Sequence, residues 1–303
     1  MTADLPATEG ASARYADIET WSSAAILDAL LDNQVAALEA VRPALPALAT
    51  ATEAAAARLR GGGRLAYAGA GTSGRIGVQD GAELPPTFDW PRDRLLLLMA
   101  GGDTALVQAV ENAEDRADQG RLDGAGLGPA DVLVGLAASG ATPYTIGCIE
   151  AARAAGALTI GIANSPDAPL LLAAEHAILL QTGPEPIAGS TRMGAGTAQK
   201  AALNLFSTLL MTRLGRVYRG QMVDMLARNA KLRRRAVRML CGLAAVDAAQ
   251  AETALEAAGG RVKVALLVLR GMTAAEAEAA LEAAKGDLRN VPSSPPPPGR
   301  GPG

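Results

Sequence analysis

Histidine occurs once in this chain, at His176, and cysteine twice, at Cys148 and Cys241. A lone histidine excludes histidine-based triads and multi-histidine metal sites for the isolated chain. Acid–base chemistry then falls to carboxylates, lysine or tyrosine. His176 opens the apolar run Ala177-Ile178-Leu179-Leu180, which reads as a buried strand with a structural imidazole at its edge. Two thiols without a motif are too few for a disulfide framework or a thiolate metal site. Both read as small buried hydrophobes in a reducing compartment. Aromatics make up only 3% of the residues while alanine and glycine abound, so slim, closely packed helices are expected. Basic excess is lacking too. The formal charge is -3, which argues against nonspecific nucleic-acid binding. The one basic run, Lys231-Leu232-Arg233-Arg234-Arg235, reads as a solvated helix face. No apolar stretch reaches the ~18 residues that span a bilayer, and Met1–Pro6 lacks the features of a signal peptide. These absences predict a cytoplasmic protein without membrane or nucleic-acid partners.

What is present is a regular alternation. Residues 22–60 show helical spacing, with Leu27, Leu30, Leu31, Val35 and Leu38 as one apolar stripe and Ala47–Leu59 as a second helix. Strand-like runs follow at Leu65–Ala68, Leu95–Ala100, Val132–Ala137, Leu158–Ala163 and Ala177–Leu180. Helical patterns at Gly77–Gly81, Thr104–Gly120 and Thr145–Ala155, and a short turn at Pro169–Ala174, separate them. This predicts an α/β fold, a five-stranded parallel sheet flanked by helices. Continuous apolar strands such as Leu95-Leu96-Leu97-Leu98 fit burial on both sheet faces. Past a Gly183-Pro184-Glu185-Pro186 turn, a long helix is expected over Gly196–Leu214 and another over Met222–Leu240. Alanine-rich helices around Ala244–Ala258 and Ala274–Ala284 suggest a small helical module. The expected organisation is an N-terminal helical segment (1–60), a ligand-binding domain (61–240), a C-terminal helical module (241–291) and a disordered proline- and glycine-rich tail (292–303).

Two turns carry the functional signal: Gly71-Thr72-Ser73-Gly74-Arg75, and Ser139-Gly140-Ala141-Thr142-Pro143. Each follows a strand and opens a helix, where backbone N–H groups and hydroxyls cradle an anion. Two of them in one sheet suggest a pocket for a phosphorylated small molecule, beyond the carboxyl ends of the strands. Glu83, followed by Leu84-Pro85-Pro86, is a candidate general acid if its surroundings are apolar, and otherwise an exposed loop residue. Glu111, Glu114 and Asp115 fall on the helix expected after the second strand, where Glu114 beside the buried stripe is a candidate base or a solvated residue. Ser190, Thr191 and Arg192 precede the long helix and fit both capping and ligand contact, and Lys200 faces either the pocket or solvent.

Together these segments resemble the N-acetylmuramic acid 6-phosphate etherase family, which is built on the sugar isomerase (SIS), flavodoxin-like fold. The resemblance rests on Gly62–Arg75, Glu83–Phe88, Ala109–Asp115, Ala138–Tyr144, Gly189–Lys200 and Met222–Leu232. It runs from about Thr8 to Arg289. It implies cleavage of the D-lactyl ether of N-acetylmuramate 6-phosphate, without metal or cofactor, by a homodimer. By the same resemblance Glu114 matches the base and Glu83 the acid, with Glu111 as helper or fallback. Gly71, Thr72, Ser73, Gly74, Ser139, Gly140, Thr142, Ser190, Thr191, Arg192 and Lys200 would hold the substrate. The sequence departs from the family at Ala141 (usually arginine), Gly194 (usually lysine), Leu84 (usually cysteine), the segment after Thr8-Glu9, and Asp32-Asn33-Gln34. Three alternatives share the fold: a noncatalytic phosphosugar-binding regulator, a phosphosugar isomerase, and a transcription regulator.

Overall fold

The strand-like runs become one parallel sheet. A computed structural model describes residue 8, residues 10–227 and residues 229–292. The expectations for Met1–Pro6, Glu9 and residues 293–303 lie outside the described residues. The strands are β1 (Leu65–Gly69), β2 (Leu95–Met99), β3 (Val132–Ala137), β4 (Leu158–Ala163) and β5 (His176–Leu179), in spatial order β2-β1-β3-β4-β5. β1 pairs with β2 on one side and β3 on the other, Gly69 standing opposite both Met99 and Leu136. The chain therefore reverses direction across the sheet beside β1, opening a crevice between the loops that follow β1 and β3.

β1, β3 and β4 are buried along their whole length, which is why they read as unbroken apolar runs. Leu95–Leu98 is different. β2 lies at the sheet edge and Leu97 is exposed, so the expectation of burial on both faces fails there. β5 is the other edge. His176 is half-buried and Ala177 exposed, so this strand is only partly in the core. Of the thiols, Cys148 is buried and burial pushes it up to about 12, whereas Cys241 is only half-buried.

Helices α1 (Ser23–Glu39) and α2 (Leu45–Leu59) precede the sheet. α2 buries Leu48, Ala51, Ala55 and Leu59. On α1 the buried positions are Ala29, Asn33 and Ala37, while Leu27, Leu31, Val35 and Leu38 are all at least half exposed. The expected apolar stripe exists but faces away from the chain's own core. Next come α3 (Gly71–Phe88), α4 (Ala117–Gly124), α5 (Pro143–Ala154), α6 (Pro169–Ala173) and α7 (Gly194–Arg213). α3 is far longer than the expected Gly77–Gly81 and places Glu83 on a helix, not a loop. The helix expected over Thr104–Gly120 is absent. A short 3-10 turn, Asp103–Leu106, gives way to irregular chain until α4. Gly101, Gly102 and Asn112 all take positive φ, which breaks the helical path. The Arg75 guanidinium also takes the carbonyls of Ala105 and Leu106, at 3.0 and 3.1 Å.

α4 and α5 cross closely. A Cβ on Gly120 would lie 2.0 Å from the Tyr144 carbonyl oxygen, and one on Gly124 would lie 2.3 Å from that of Cys148. Only glycine permits this backbone-to-backbone contact.

The described residues group into two compact units: one reaches Glu83 and resumes over Pro91–Leu210, and the other combines Leu84–Trp90 with the chain from Met211. In the second unit, Met222 does not begin a helix as expected. β6 (Val217–Tyr218) and β7 (Gln221–Met222) form a hairpin turning at Arg219 and Gly220, both at positive φ. α8 (Ala230–Ala244) starts only after Asn229, whose side chain accepts the Leu232 N–H. With α9 (Ala248–Ala257), α10 (Val262–Val268) and α11 (Ala274–Ala283) it encloses a core that includes Leu240, Leu255, Leu266 and Leu267. Arg216 anchors the Leu84–Trp90 strap to this unit. It donates to the Phe88 and Asp89 carbonyls and lies 5.1 Å from the Trp90 ring centroid.

The start of the sheet depends on Asp131. It accepts the Arg64 N–H at 2.7 Å, the Gly128 N–H at 2.9 Å and the Arg64 guanidinium at 2.6 Å. Burial alone would raise its carboxyl, but these donors outweigh it and hold the group below its ordinary value. The resulting stabilisation is complete above the ordinary carboxylate range and is lost as pH falls through the folded value. Asp131→Asn should therefore lower the unfolding free energy by about 1–3 kcal/mol at neutral pH. Urea titrations at stepped pH should show that deficit vanish below about pH 4.

Candidate active site

The crevice between the β1 and β3 loops holds a cavity of about 350 Å³, lined by Gly71, Thr72, Ser73, Ser139, Thr142, Thr191, Glu114 and Asp115 among others. Its size suits a small ligand. The two turns contribute in different ways. Gly71–Ser73 form the first turn of α3, whose amides have no acceptor within the helix, and all three residues line the cavity. In the second turn most amides are already engaged. Gly140 donates to the Ala137 carbonyl at 3.1 Å, Ala141 to Ser139 Oγ at 3.2 Å, and Tyr144 to the Glu114 carbonyl at 2.9 Å. Pro143 has no N–H. This side therefore offers the hydroxyls of Ser139 and Thr142, and Ser139 can accept from Ala141 while donating its own proton. An anion here meets amides on one wall and hydroxyls on the other.

No lysine or arginine lines the cavity. Ala141, where the resembled family carries arginine, is exposed at its rim. Glu114 reaches the cavity from the irregular segment before α4, held there through its own carbonyl by the first turn of α5. Glu111 lines an adjoining cavity of about 220 Å³ that shares Ala70, Gly71 and Glu114 with the first. The shared helix face expected for these carboxylates does not exist, because the segment is not helical. Glu114 belongs to both cavities and Glu111 to the second alone.

Comparison with known proteins places this architecture. The family model for the glucokinase regulatory protein N-terminal SIS domain matches residues 47–153, and that for the SIS domain matches residues 107–210. The N-acetylmuramic acid 6-phosphate etherase of Deinococcus radiodurans is 52% identical over 265 residues, 87% of each chain. That of Symbiobacterium thermophilum is 52% identical over 78% of this chain and 79% of its own. That of Erwinia tasmaniensis is 46% identical over 84% of this chain and 83% of its own. The chain belongs to the N-acetylmuramic acid 6-phosphate etherase family.

Not every residue expected at the family's site lies at the cavity. Gly74 and Gly140 serve packing. A Cβ on Gly74 would lie 2.7 Å from the Gly69 carbonyl oxygen, and one on Gly140, at φ +69°, would lie 2.3 Å from Ala168 Cβ. Thr191 lines the cavity, whereas Ser190 and Arg192 do not. Lys200 is exposed and donates to Asn204 Oδ1 at 2.8 Å. Asn204 in turn donates to the buried Asp80, which also accepts from Tyr67 and Ser207. Burial raises the Asp80 carboxyl, against the pull of these donors.

Glu83 is exposed and does not line the cavity. It stands 12 residues beyond Gly71 on α3, about 18 Å along the helix at 1.5 Å per residue. The apolar surroundings expected from its proline neighbours are not found within one chain.

Sequence reading missed Glu185. It is 2% exposed and accepts the Gly194 and Ala195 amides at 2.9 and 2.8 Å, so it caps α7 in place of Ser190 or Thr191. This leaves Thr191 free for a ligand. Its one visible signal was a carboxylate between two prolines shortly before a glycine-rich helix start.

Removing one hydroxyl from each turn in Thr72→Ala/Ser139→Ala should weaken inorganic phosphate binding at least about tenfold, one charge-assisted hydrogen bond being worth ~1.5–3 kcal/mol. Calorimetric titration measures the affinity. Because both side chains border the cavity, the thermal midpoint should hardly move.

Proposed function

We propose that this chain is a carbon–oxygen lyase that converts N-acetylmuramic acid 6-phosphate and water to N-acetylglucosamine 6-phosphate and D-lactate, in cytoplasmic cell-wall recycling. The observation that carries this reading is Glu114 at the wall of a phosphate-sized cradle built from neutral donors. The amides of Gly71–Ser73 and the hydroxyls of Thr72, Ser73, Ser139, Thr142 and Thr191 hold the 6-phosphate. The ring-opened sugar presents an aldehyde at C1, whose carbonyl acidifies the C2 proton. Glu114 takes that proton and the C3–O bond breaks, leaving a C2–C3 double bond. Glu83 protonates the departing lactyl oxygen. Water adds to C3 of the unsaturated aldehyde, a proton returns to C2, and no metal or cofactor enters the balance.

Within one chain Glu83 lies too far from the cradle to do this. The reading therefore requires a homodimer in which Glu83 serves the cavity of a second copy. The outward apolar stripe of α1, Leu27-Leu31-Val35-Leu38, supports such an assembly.

The experiment is D-lactate release from N-acetylmuramic acid 6-phosphate. Glu83→Gln and Glu114→Gln should each lose about 10²–10⁴-fold in turnover. Denaturing and refolding the two inactive variants together then separates the arrangements. If Glu83 acts across the dimer, each mixed dimer regains one complete site, and random pairing restores about a quarter of wild-type activity. If both residues act within one chain, mixing restores nothing. A folded wild type that binds the phosphosugar without releasing lactate would sink the catalytic reading.

A further inference from the structure

The chain is acidic overall, yet from Arg213 to Arg238 it carries nine basic residues against the single acid Asp224. Some of these charges are accounted for. Arg216 lies 3.5 Å from Asp224, and Arg233 pairs with Glu252 and, at 2.7 Å, with Glu256. Three are not. Arg219, Arg235 and Arg238 have no carboxylate partner among the described residues, and all three line one cavity of about 480 Å³. Its other walls are Gln221, Met239, Gly242 and Leu243, with no acid among them.

This is more than a solvated helix face. Arg235 and Arg238 are three apart on α8 and so share one side of it. Arg219 comes from the β6–β7 turn, where it holds φ at +47°, a left-handed conformation that costs an arginine energy. Its guanidinium lies 5.5 Å from the Tyr218 ring centroid, and that of Arg270 lies 5.6 Å from the same ring. Like charges converging on a partly apolar pocket repel one another. A bound anion relieves that repulsion, and planar guanidinium groups match phosphate oxygens in pairs.

We propose that Arg219, Arg235 and Arg238 form a second anion site, separate from the phosphosugar cavity. Its ligand class is a small organic phosphate with at least two negative charges. The phosphate oxygens sit among the three arginines, and the organic part rests on Met239 and Leu243.

The test uses the full chain and inorganic pyrophosphate as the charge probe, by calorimetric titration at low salt. The Thr72→Ala/Ser139→Ala background weakens the first cavity, so binding that persists in it reports on the second. Adding Arg235→Ala and Arg238→Ala to that background should weaken the remaining binding at least about tenfold. Arg219→Ala, a change at a hairpin tip, gives the same readout should the helix substitutions impair folding, which circular dichroism checks. No binding in the cradle-weakened background, or binding that ignores all three arginine substitutions, overturns the proposal.

Discussion

The pairing of β1 with β3 is the constraint on which the site rests. Because Gly69 stands opposite Leu136, both strands end at the same level, and the chain leaves them into different helices on either side of the crevice. Were β1 and β2 the central pair, the Gly71–Ser73 amides and the Ser139 and Thr142 hydroxyls would lie on one side of a strand with nothing facing them. The strands that fix this level are the fully buried ones, so the core and the site share their most rigid part. Asp131 sets the opposite end of the same pair. The register is held at both ends by groups that cannot be shifted singly.

Electrostatically the cavity between the β1 and β3 loops is unusual for the anion site proposed there. Its lining charges are the carboxylates Glu114 and Asp115, and what it offers an anion is the N-terminus of α3 and a set of hydroxyls. Under the proposed role of Glu114, neutral donors hold phosphate without forming an ion pair with that carboxylate. The start of α7 could have supplied further donors, yet Glu185 already occupies it. The protein thus neutralises one helix end internally and leaves another open to the ligand.

Much of this architecture was legible in the residues. The strands announced themselves because burial on both faces demands unbroken apolar runs. The glycine- and hydroxyl-rich turns stood out because few other residues fit a strand-to-helix corner that faces a ligand. Where the reading failed, the cause lay outside the local pattern. Residues 104–116 carry helical spacing, but the positive φ at Gly101, Gly102 and Asn112, together with the grip of Arg75, divert them. The α1 stripe is a true apolar face whose cover is not supplied by its own chain. Gly74 and Gly140 looked like ligand-contacting glycines and are instead points of close packing. Glu185 looked like a turn residue, since its flanking prolines fit a turn as well as they fit the approach to a helix end nine residues later.

The crossing of α4 and α5 has a mechanical consequence for the segment that carries Glu114. Glycines at 120 and 124 seat α4 directly on the backbone of α5, a joint too tight to be adjusted even by a methyl group. The segment bearing Glu114 leaves that joint at one end and is clamped at Ala105 and Leu106 by Arg75 at the other. It behaves as a short span between fixed abutments. Glu114 lies three residues before α4, beside the abutment on α5. A methyl group at Gly120 or Gly124 would force α4 off α5 and shift Glu114 with it, without touching the cavity lining itself.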